Sequence, residues 1–141
     1  MSQVSGFAQD LINKVSSVAA LTGKVGTGGG TELDPLMLQA PAPFAIITFS
    51  GDEPMDQTPD GRRFQQIKSV FFVSIHQDLV PENLQSTTWP LLEAVAASVR
   101  GKVGTGTNLI WKYEGQRLKF QDSGRIMYEQ IYSIIDLRTI L

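Results

Sequence analysis

The sequence predicts an α+β fold with two layers, in which two helices lie on one side of a mainly antiparallel or mixed sheet of about five strands. Two segments repeat apolar residues at intervals of three and four, as amphipathic helices do. Several other runs are rich in β-branched and aromatic residues, which favour strands. The elements follow in the order helix, hairpin, helix, hairpin, strand, and we assign the 141 residues to a single domain, 1–141.

The first helix is predicted over residues 4–21. One side of this segment carries apolar side chains, and polar residues such as Gln9 and Asn13 occupy the other side. The spacing of the apolar residues matches the 3.6-residue period of an α-helix. These apolar residues are Val4, Phe7, Ala8, Leu11, Ile12, Val15, Val18 and Ala19.

A glycine-rich segment follows this helix, and we expect a mobile loop over 22–34 because glycine loses much backbone entropy on ordering. The hexapeptide Gly-Lys-Val-Gly-Thr-Gly occurs at 23–28 and again at 101–106. Glycine-rich loops can bind phosphate, but Val25 and Val103 stand where such a loop needs Ser or Thr. We interpret both copies as helix C-caps that run into flexible turns.

A long hairpin is predicted next. Residues 44–50 favour a strand, residues 51–63 form a polar hairpin arm with a Pro-Asp-Gly turn signal at 59–61, and residues 64–77 favour the returning strand. The middle of the second strand is apolar on both faces, which places it inside the sheet.

The second helix is predicted over 88–100. Thr87 or Thr88 can cap its start, Pro90 is tolerated in its first turn, and Gly101 ends it. Its apolar residues again fall on one side.

A second hairpin is predicted with its turn at 113–116. This turn sets Trp111 opposite Leu118 on one face and Lys112 opposite Arg117 on the other, where the two like charges need an acidic partner or water. A last strand follows over 126–137, and its apolar residues on both faces favour a position inside the sheet.

Composition narrows the classes of function. The formal net charge of -2 and the absence of a basic run give no general attraction to nucleic acid, and the absence of cysteine excludes disulfides and thiolate metal sites. Charged residues make up 18% of the chain, which is low for a fully hydrated surface and favours an oligomer. The sequence has neither a signal peptide pattern nor 18 consecutive apolar residues, so we expect a cytoplasmic protein without a membrane span.

Candidate chemical sites are few, and we expect no catalytic residue, metal or cofactor. Residues 56–61 match the first half of a calcium loop, but Ile67 stands where the bidentate glutamate must lie. His76 and Asp78 could orient a base, yet no cysteine or serine elbow supplies a nucleophile, so we interpret His76 as structural or exposed. Trp111 with its basic neighbours could stack on bases, although a core position fits the predicted hairpin better.

The hairpin arm is the candidate functional segment. Its acidic residues come first and its basic residues last, an arrangement suited to pairing head to tail with a neighbouring copy in a ring. A solvated loop without a partner is the alternative. The candidate residues for a subunit interface or channel are Asp52, Glu53, Asp56, Asp60, Arg62 and Arg63.

The element order, together with three short segments, resembles the tail terminator proteins of tailed bacteriophages, especially the Mu-like group. The segments are Pro-Phe-Ala-Ile-Ile-Thr-Phe at 43–49, Arg-Arg-Phe at 62–64 and Trp-Pro-Leu-Leu-Glu-Ala-Val at 89–95. The resemblance implies a small α+β domain that forms a hexameric ring on the tail tube, stops tube growth and offers a docking surface to the head. The glycine-rich segment 23–30 departs from that family.

The resemblance further implies homo-oligomerisation, contact with the tail tube protein and with a head-tail connector or neck protein, and DNA passing only transiently through the channel. It implies a virion protein of the tail or neck that is present in the host cytoplasm during assembly, without enzymatic activity. Two alternatives stay open. One is a head-side neck or tail-completion connector, and the other is a small nucleotide-binding or single-strand nucleic-acid-binding protein.

Overall fold

The computed structural model of the protein describes residues 3–28, 41–57, 64–105, 107–122 and 124–139. In these ranges the strands form one sheet in the order β1-β2-β3-β5-β4, with β1 parallel to β2 and every other pair antiparallel. Both helices pack against the same face, so the predicted α+β two-layer fold is confirmed. The elements are α1 (Gln3–Ser16), β1 (Val25–Gly28), β2 (Phe44–Gln57), β3 (Phe64–Asp78), α2 (Trp89–Val99), β4 (Lys112–Asp122) and β5 (Arg125–Thr139).

Helix α1 is shorter than predicted. It ends at Ser16, and a turn of 3-10 helix follows at Ala19–Leu21. The Ser17 hydroxyl donates to the carbonyl oxygen of Lys14 at 2.5 Å, and Val18 adopts an extended conformation. The serine hydroxyl thus satisfies a carbonyl group of the last turn and the chain leaves the helical path.

The predicted loop 22–34 is wrong for Val25–Gly28, which form the edge strand β1. Residues 29–34 lie outside the described residues. A glycine is needed at position 28, because a Cβ atom there would lie 2.8 Å from the Cγ2 atom of Ile46 on β2. Gly28 therefore permits a close parallel contact between β1 and β2.

The hairpin β2–β3 is confirmed, but the strand continues into the predicted arm 51–63. Strand β2 reaches Gln57 after a bulge between Phe49 and Gly51, and its partner β3 begins at Phe64. Residues 58–63, which include the predicted turn, lie outside the described residues. Residues 51–57 are thus a strand extension and not a connector.

Helix α2 lies close to its predicted bounds, but its predicted cap is wrong. Thr88 has helical backbone angles and makes no side-chain cap bond, because a π-helical segment, Leu84–Thr88, already precedes it. Pro90 does lie in the first turn. Gly101 follows the last residues with a φ of 72°, as a glycine C-cap requires.

The predicted second hairpin, with its turn at 113–116, is wrong, because residues 112–122 form one strand, β4. The Glu-Gly pair that suggested a turn forms a bulge between Tyr113 and Gly115. Arg117 consequently faces Glu129 of β5 and not Lys112. Strand β5 lies between β3 and β4, which confirms its predicted interior position.

Strand alternation divides the sheet into two faces. The helix face carries the core, in which Phe71 of β3 and Tyr132 of β5 are fully buried beneath Leu11 of α1 and Val95 of α2. The far face is the opposite surface, formed by the alternate residues, for example Phe72 on β3 and Ile131 on β5. No helix in the described part of the chain is long and apolar enough to cross a membrane.

Candidate functional site

The structure describes the side chains of two predicted interface residues of the hairpin arm, Asp52 and Glu53, and places them on opposite faces of the sheet. Asp52 points to the helix face, where it accepts a hydrogen bond of 2.7 Å from the Ser69 hydroxyl. Glu53 points to the far face, 3.9 Å from the ammonium group of Lys68. The side chain of Asp56 is not among the described ones, and Asp60, Arg62 and Arg63 lie outside the described residues.

The arm nevertheless projects beyond its neighbour in the sheet. Strand β1 pairs with β2 only from Ala45 to Thr48, whereas β2 continues to Gln57. Along the outer edge of β2, no described strand pairs beyond Thr48. Backbone N–H and C=O groups on such an edge are suited to contacts with another chain.

The far face carries exposed apolar side chains, whereas the solvent-facing side of an antiparallel sheet normally carries polar ones. Leu137, Phe120 and Ile135 are 59%, 40% and 37% exposed, respectively. Three further apolar side chains beside them are half-buried. We call the set the far-face patch, and it consists of Val70, Phe72, Phe120, Ile131, Ile135 and Leu137.

Ion pairs across the strands cross this patch. Lys68 on β3 lies 3.3 Å from Glu114 on β4, and Lys112 lies 3.9 Å from the same carboxylate. The Ser133 hydroxyl donates to Glu114 at 2.7 Å. This hydrogen bond, followed by the Lys68 contact, holds the pKa of Glu114 below its usual value, so the carboxylate is charged at neutral pH.

Two further pairs lie on the same face. Arg117 donates to Glu129 at 2.9 Å, and Arg125 lies 3.8 Å from Asp78. Among the described residues, the ion pairs on this face join the bases Lys68, Lys112, Arg117 and Arg125 to the acids Glu53, Glu114, Glu129 and Asp78. Asp122 lies opposite Arg125 as a further acid on this face.

His76 is buried on the far face near the end of β3, opposite Phe44 at the start of β2. Its ring stacks on Phe44 with centroids 4.4 Å apart, and both ring nitrogens lack a hydrogen-bond partner. Burial, assisted by the nearby Arg125 guanidinium, lowers the pKa of His76 to about 4. The possible pair with Asp78 does not form, and the buried position of His76 agrees with its interpretation as a structural residue.

A buried carboxylate ties α1 to the segment that follows α2. Asp10 accepts hydrogen bonds from Lys14 at 2.8 Å, from the Thr105 hydroxyl at 2.6 Å and from the indole N–H of Trp111 at 2.8 Å. Burial alone would raise the pKa of Asp10, but these donors outweigh it and hold the pKa below its usual value. Because every donor belongs to the chain itself, this site has a structural role.

Trp111 is 1% exposed and packs edge to face against Phe7 and Phe71. The indole therefore cannot stack on a nucleic-acid base, which confirms the expected core position. Phe120 is exposed, but on the far face and away from Trp111. The alternative of a base-stacking surface built on Trp111 is therefore not supported by the structure.

The two glycine hexapeptides begin with the same backbone geometry. Gly23 and Gly101 have φ angles of 73° and 72°, and the next residue in each copy, Lys24 or Lys102, donates its backbone N–H to the preceding helical turn. The N–H groups of Gly101, Gly104 and Thr105 also donate to acceptors within the chain. The positive φ angles confirm the C-cap part of the interpretation, but the first copy continues into strand β1 and not into a flexible turn. In the second copy, the N–H groups of Gly101, Gly104 and Thr105 are already used and are not available to a phosphate.

Comparisons with known proteins identify a structural neighbour. No protein-family model matches the chain, and no curated protein sequence matches it. Among solved structures, a chain of the virion of a native gene transfer agent particle superposes with a TM-score of 0.57 at 12% sequence identity. The match covers 96% of this chain and 98% of that chain, so the two share a fold over nearly their full lengths.

Proposed function

We propose that this chain is a structural subunit of a phage-like virion and that it acts as a tail terminator. The observation that carries the proposal is the near-complete overlap of its fold with a chain of a gene transfer agent virion. The resemblance of its sequence to tail terminator proteins supports the finer assignment. In this role the chain acts by shape: copies close into a ring on the tail tube, tube growth stops, and the head docks on the ring.

The described surface suits such a role. Exposed apolar side chains on the far face and an outer edge of β2 beyond Thr48 are features of a subunit that contacts other chains. The hairpin arm is the proposed contact with a neighbouring copy or with the channel. Glu53 lies on its described part, and Arg62 and Arg63 follow in the sequence. Acidic residues facing a channel would let DNA pass, because they offer the phosphates no attractive contact.

A tube-assembly experiment tests the proposal. Tail tube protein from a phage-like particle is polymerised with and without the purified chain, and tube lengths are measured by negative-stain electron microscopy. We expect shorter tubes of narrower length distribution, with a ring at one end. Unchanged tube lengths at a tenfold excess of the chain would contradict the terminator role.

The head-side neck or connector role is the alternative within the virion. A pull-down against separate tube and connector proteins distinguishes the two. Capture of the connector together with failure to bind the tube would favour the neck assignment.

A further inference from the structure

We infer that a small hairpin at one end of α2 inserts into a groove at the other end of α2 in a second copy of this chain. The inference deepens the proposed function and rests on it, because a ring requires copies to assemble. The two surfaces differ, so each copy donates its hairpin to one neighbour and receives the hairpin of another. Head-to-tail contacts of this kind close into rings when the rotation between copies allows it.

The hairpin follows α2, and we call its described residues, 101–105 and 107–111, the tip. Backbone hydrogen bonds join its two sides. Val103 pairs with Ile110 in an antiparallel bridge, which places both side chains on one face of the hairpin. Trp111 turns to the core, whereas Val103 and Ile110 are 51% and 58% exposed. The tip therefore presents two adjacent apolar side chains to the outside.

A groove of about 710 Å³ lies at the start of α2, and we call it the end groove. Its volume falls within the range of about 300–1,000 Å³ that is usual for binding sites. Nine of its fifteen lining residues are apolar, so it is suited to apolar side chains. Three of the others belong to the π-helical segment Leu84–Thr88, a rare conformation that is frequent at functional sites. The apolar lining residues include Val18 after α1, Pro43 before β2, and Leu91 and Ala94 on α2.

The tip and the end groove lie at opposite ends of α2. The groove is lined by the first turns of this helix, from Pro90 to Ala94, and the tip begins at Gly101 after its last turn. Eleven residues at about 1.5 Å each separate the two by about 16 Å along the helix axis. The tip is fixed at its own end by the core contacts of Trp111. It therefore cannot fill the groove of its own chain, and the tip that fills the groove must come from another copy.

The charges identify a second copy as the partner. Residues 78–99, which include most of the groove lining, carry three acids and no base. Residues 100–112, which include the tip, carry three bases and no acid. The acidic end of one copy therefore attracts the basic end of the next. The acids are Asp78, Glu82 and Glu93, and the bases are Arg100, Lys102 and Lys112.

Most of these charges are left for a partner. Asp78 and Lys112 each have an ion-pair contact in their own chain, at 3.8 and 3.9 Å. Among the described residues, no ion pair includes the other four, Glu82, Glu93, Arg100 and Lys102. A nucleic acid would be attracted to the tip but repelled at the groove. A second copy supplies both complements, an apolar pair for the groove and an acidic rim for the basic tip.

Cross-linking between two variants tests the inference. The chain has no cysteine, so each variant carries a single thiol. Val103→Cys labels the tip and Ala94→Cys labels the groove, while Phe120→Cys, 40% exposed on the far face, is the control for random encounters. Pairs of variants are mixed at equal concentration and treated with a short bismaleimide linker. We expect the tip and groove variants to form a cross-linked dimer at least fivefold faster than the control and groove variants.

Equal rates in the two mixtures would overturn the inference. A tip variant that cross-links to itself as fast as to the groove variant would also overturn it, because the contact would then be symmetric. Protection of the Ala94→Cys thiol by tail tube or connector protein, without cross-linking to the tip, would assign the groove to that protein instead. Protection that persists in the diluted monomer would show that the chain itself fills the groove, and this too would overturn the inference.

Charge reversal gives a second, independent test. We expect Arg100→Glu with Lys102→Glu to raise the dissociation constant of the assembly at least tenfold, because two acidic ends then repel. Glu82→Lys with Glu93→Lys should have the same effect. The combined variant with all four substitutions reverses both ends and should return to within threefold of the wild type. Light scattering measures assembly, thermal unfolding verifies that each variant folds, and a combined variant as weak as its parents would overturn the inference.

The two proposals fail separately in this design. Charge-reversed variants that assemble and cap tubes like the wild type overturn the inference and leave the proposed function intact. A wild type that cross-links from tip to groove but leaves tube length unchanged supports the inference and contradicts the terminator role.

Discussion

His76 and Phe44 stack almost face to face, with ring centroids 4.4 Å apart and planes 10° from parallel. The pair joins the start of β2 to the end of β3, and the Arg125 guanidinium lies 5.6 Å from the centre of the Phe44 ring. A cation already occupies this corner of the sheet. Protonation of His76 would place a second positive charge beside it, inside the protein.

The first prediction concerns acid stability. The pKa of His76 is about 4 in the folded chain and about 6.5 in the unfolded chain, so the unfolded state binds the proton more readily between these values. Above pH 6.5 His76 is neutral in both states and does not lower the free energy of unfolding. As the pH falls from 6.5 toward 4, proton uptake by the unfolded state lowers the free energy of unfolding by about 3 kcal/mol in total. Urea unfolding of the wild type at pH 7.5, 6.0 and 5.0 measures this loss.

The matched variant is His76→Phe, which keeps an aromatic ring against Phe44 and removes the titrating group. We expect its free energy of unfolding to fall less than that of the wild type between pH 6.5 and 5, because only carboxylates then titrate. Parallel pH profiles for the two proteins would contradict the prediction.

The second prediction concerns Asp10. Replacing it with alanine leaves the Trp111 indole N–H and the Lys14 ammonium without their acceptor in a buried site. We expect Asp10→Ala to lower the free energy of unfolding by about 3 kcal/mol. Chemical denaturation measures the change, and Asn13→Ala on the exposed side of α1 serves as control, with a change below about 0.5 kcal/mol. Equal stabilities of the two variants would refute a structural role for the Asp10 network.

The third prediction concerns two glycines that differ in their surroundings. In Gly28→Ala the new methyl group would lie 2.8 Å from Ile46, so β1 must move away from β2, and we expect a loss of about 1–3 kcal/mol. Gly6 lies inside α1 with no atom within 4 Å of an added Cβ. Gly6→Ala should therefore gain about 0.5–1 kcal/mol. Thermal unfolding compares the melting temperature of each variant with that of the wild type. A change of the same sign in both variants would contradict the prediction that the contact with Ile46 requires a glycine at position 28.

The fourth prediction concerns the hairpin arm. We expect Arg62→Glu with Arg63→Glu to weaken ring formation, because the basic end of the arm would then repel the acidic end of a neighbour. The fold should stay intact, with an unchanged far-UV circular dichroism spectrum. Light scattering at matched concentrations measures assembly, and an unchanged mass would count against an interface at the arm. Arg62→Lys with Arg63→Lys, which keeps the charge, is the control.

Elements with strong periodicity could be predicted from the sequence. In helix α1, helix α2 and the hairpin β2–β3, the periodic apolar residues of the sequence are the ones that pack in the core. The five strands do not match the five predicted runs, however. Strand β1 was missed because its glycines favour a loop on their own, whereas backbone pairing with Ala45–Thr48 holds them in the sheet.

The prediction of a second hairpin was wrong for the opposite reason. A Glu-Gly pair between alternating residues is a genuine turn signal, but β5 offers a longer partner, and the extra residue is absorbed in a bulge beside Gly115. The far-face patch could not be predicted either. It depends on which of the two faces of β5 the helices cover, and the run 126–137 is apolar on both.

The position of β5 has a consequence for biosynthesis. It pairs with β3 between residues as far apart in the sequence as Phe64 and Thr139. This pairing must therefore wait until β5, the last of the five strands, has emerged from the ribosome. During translation the inner edge of β3 stays uncovered, and a nascent chain interrupted before Arg125 would expose it to aggregation. The far-face patch is completed at the same stage, because three of its six residues, Ile131, Ile135 and Leu137, lie on the strand that is translated last.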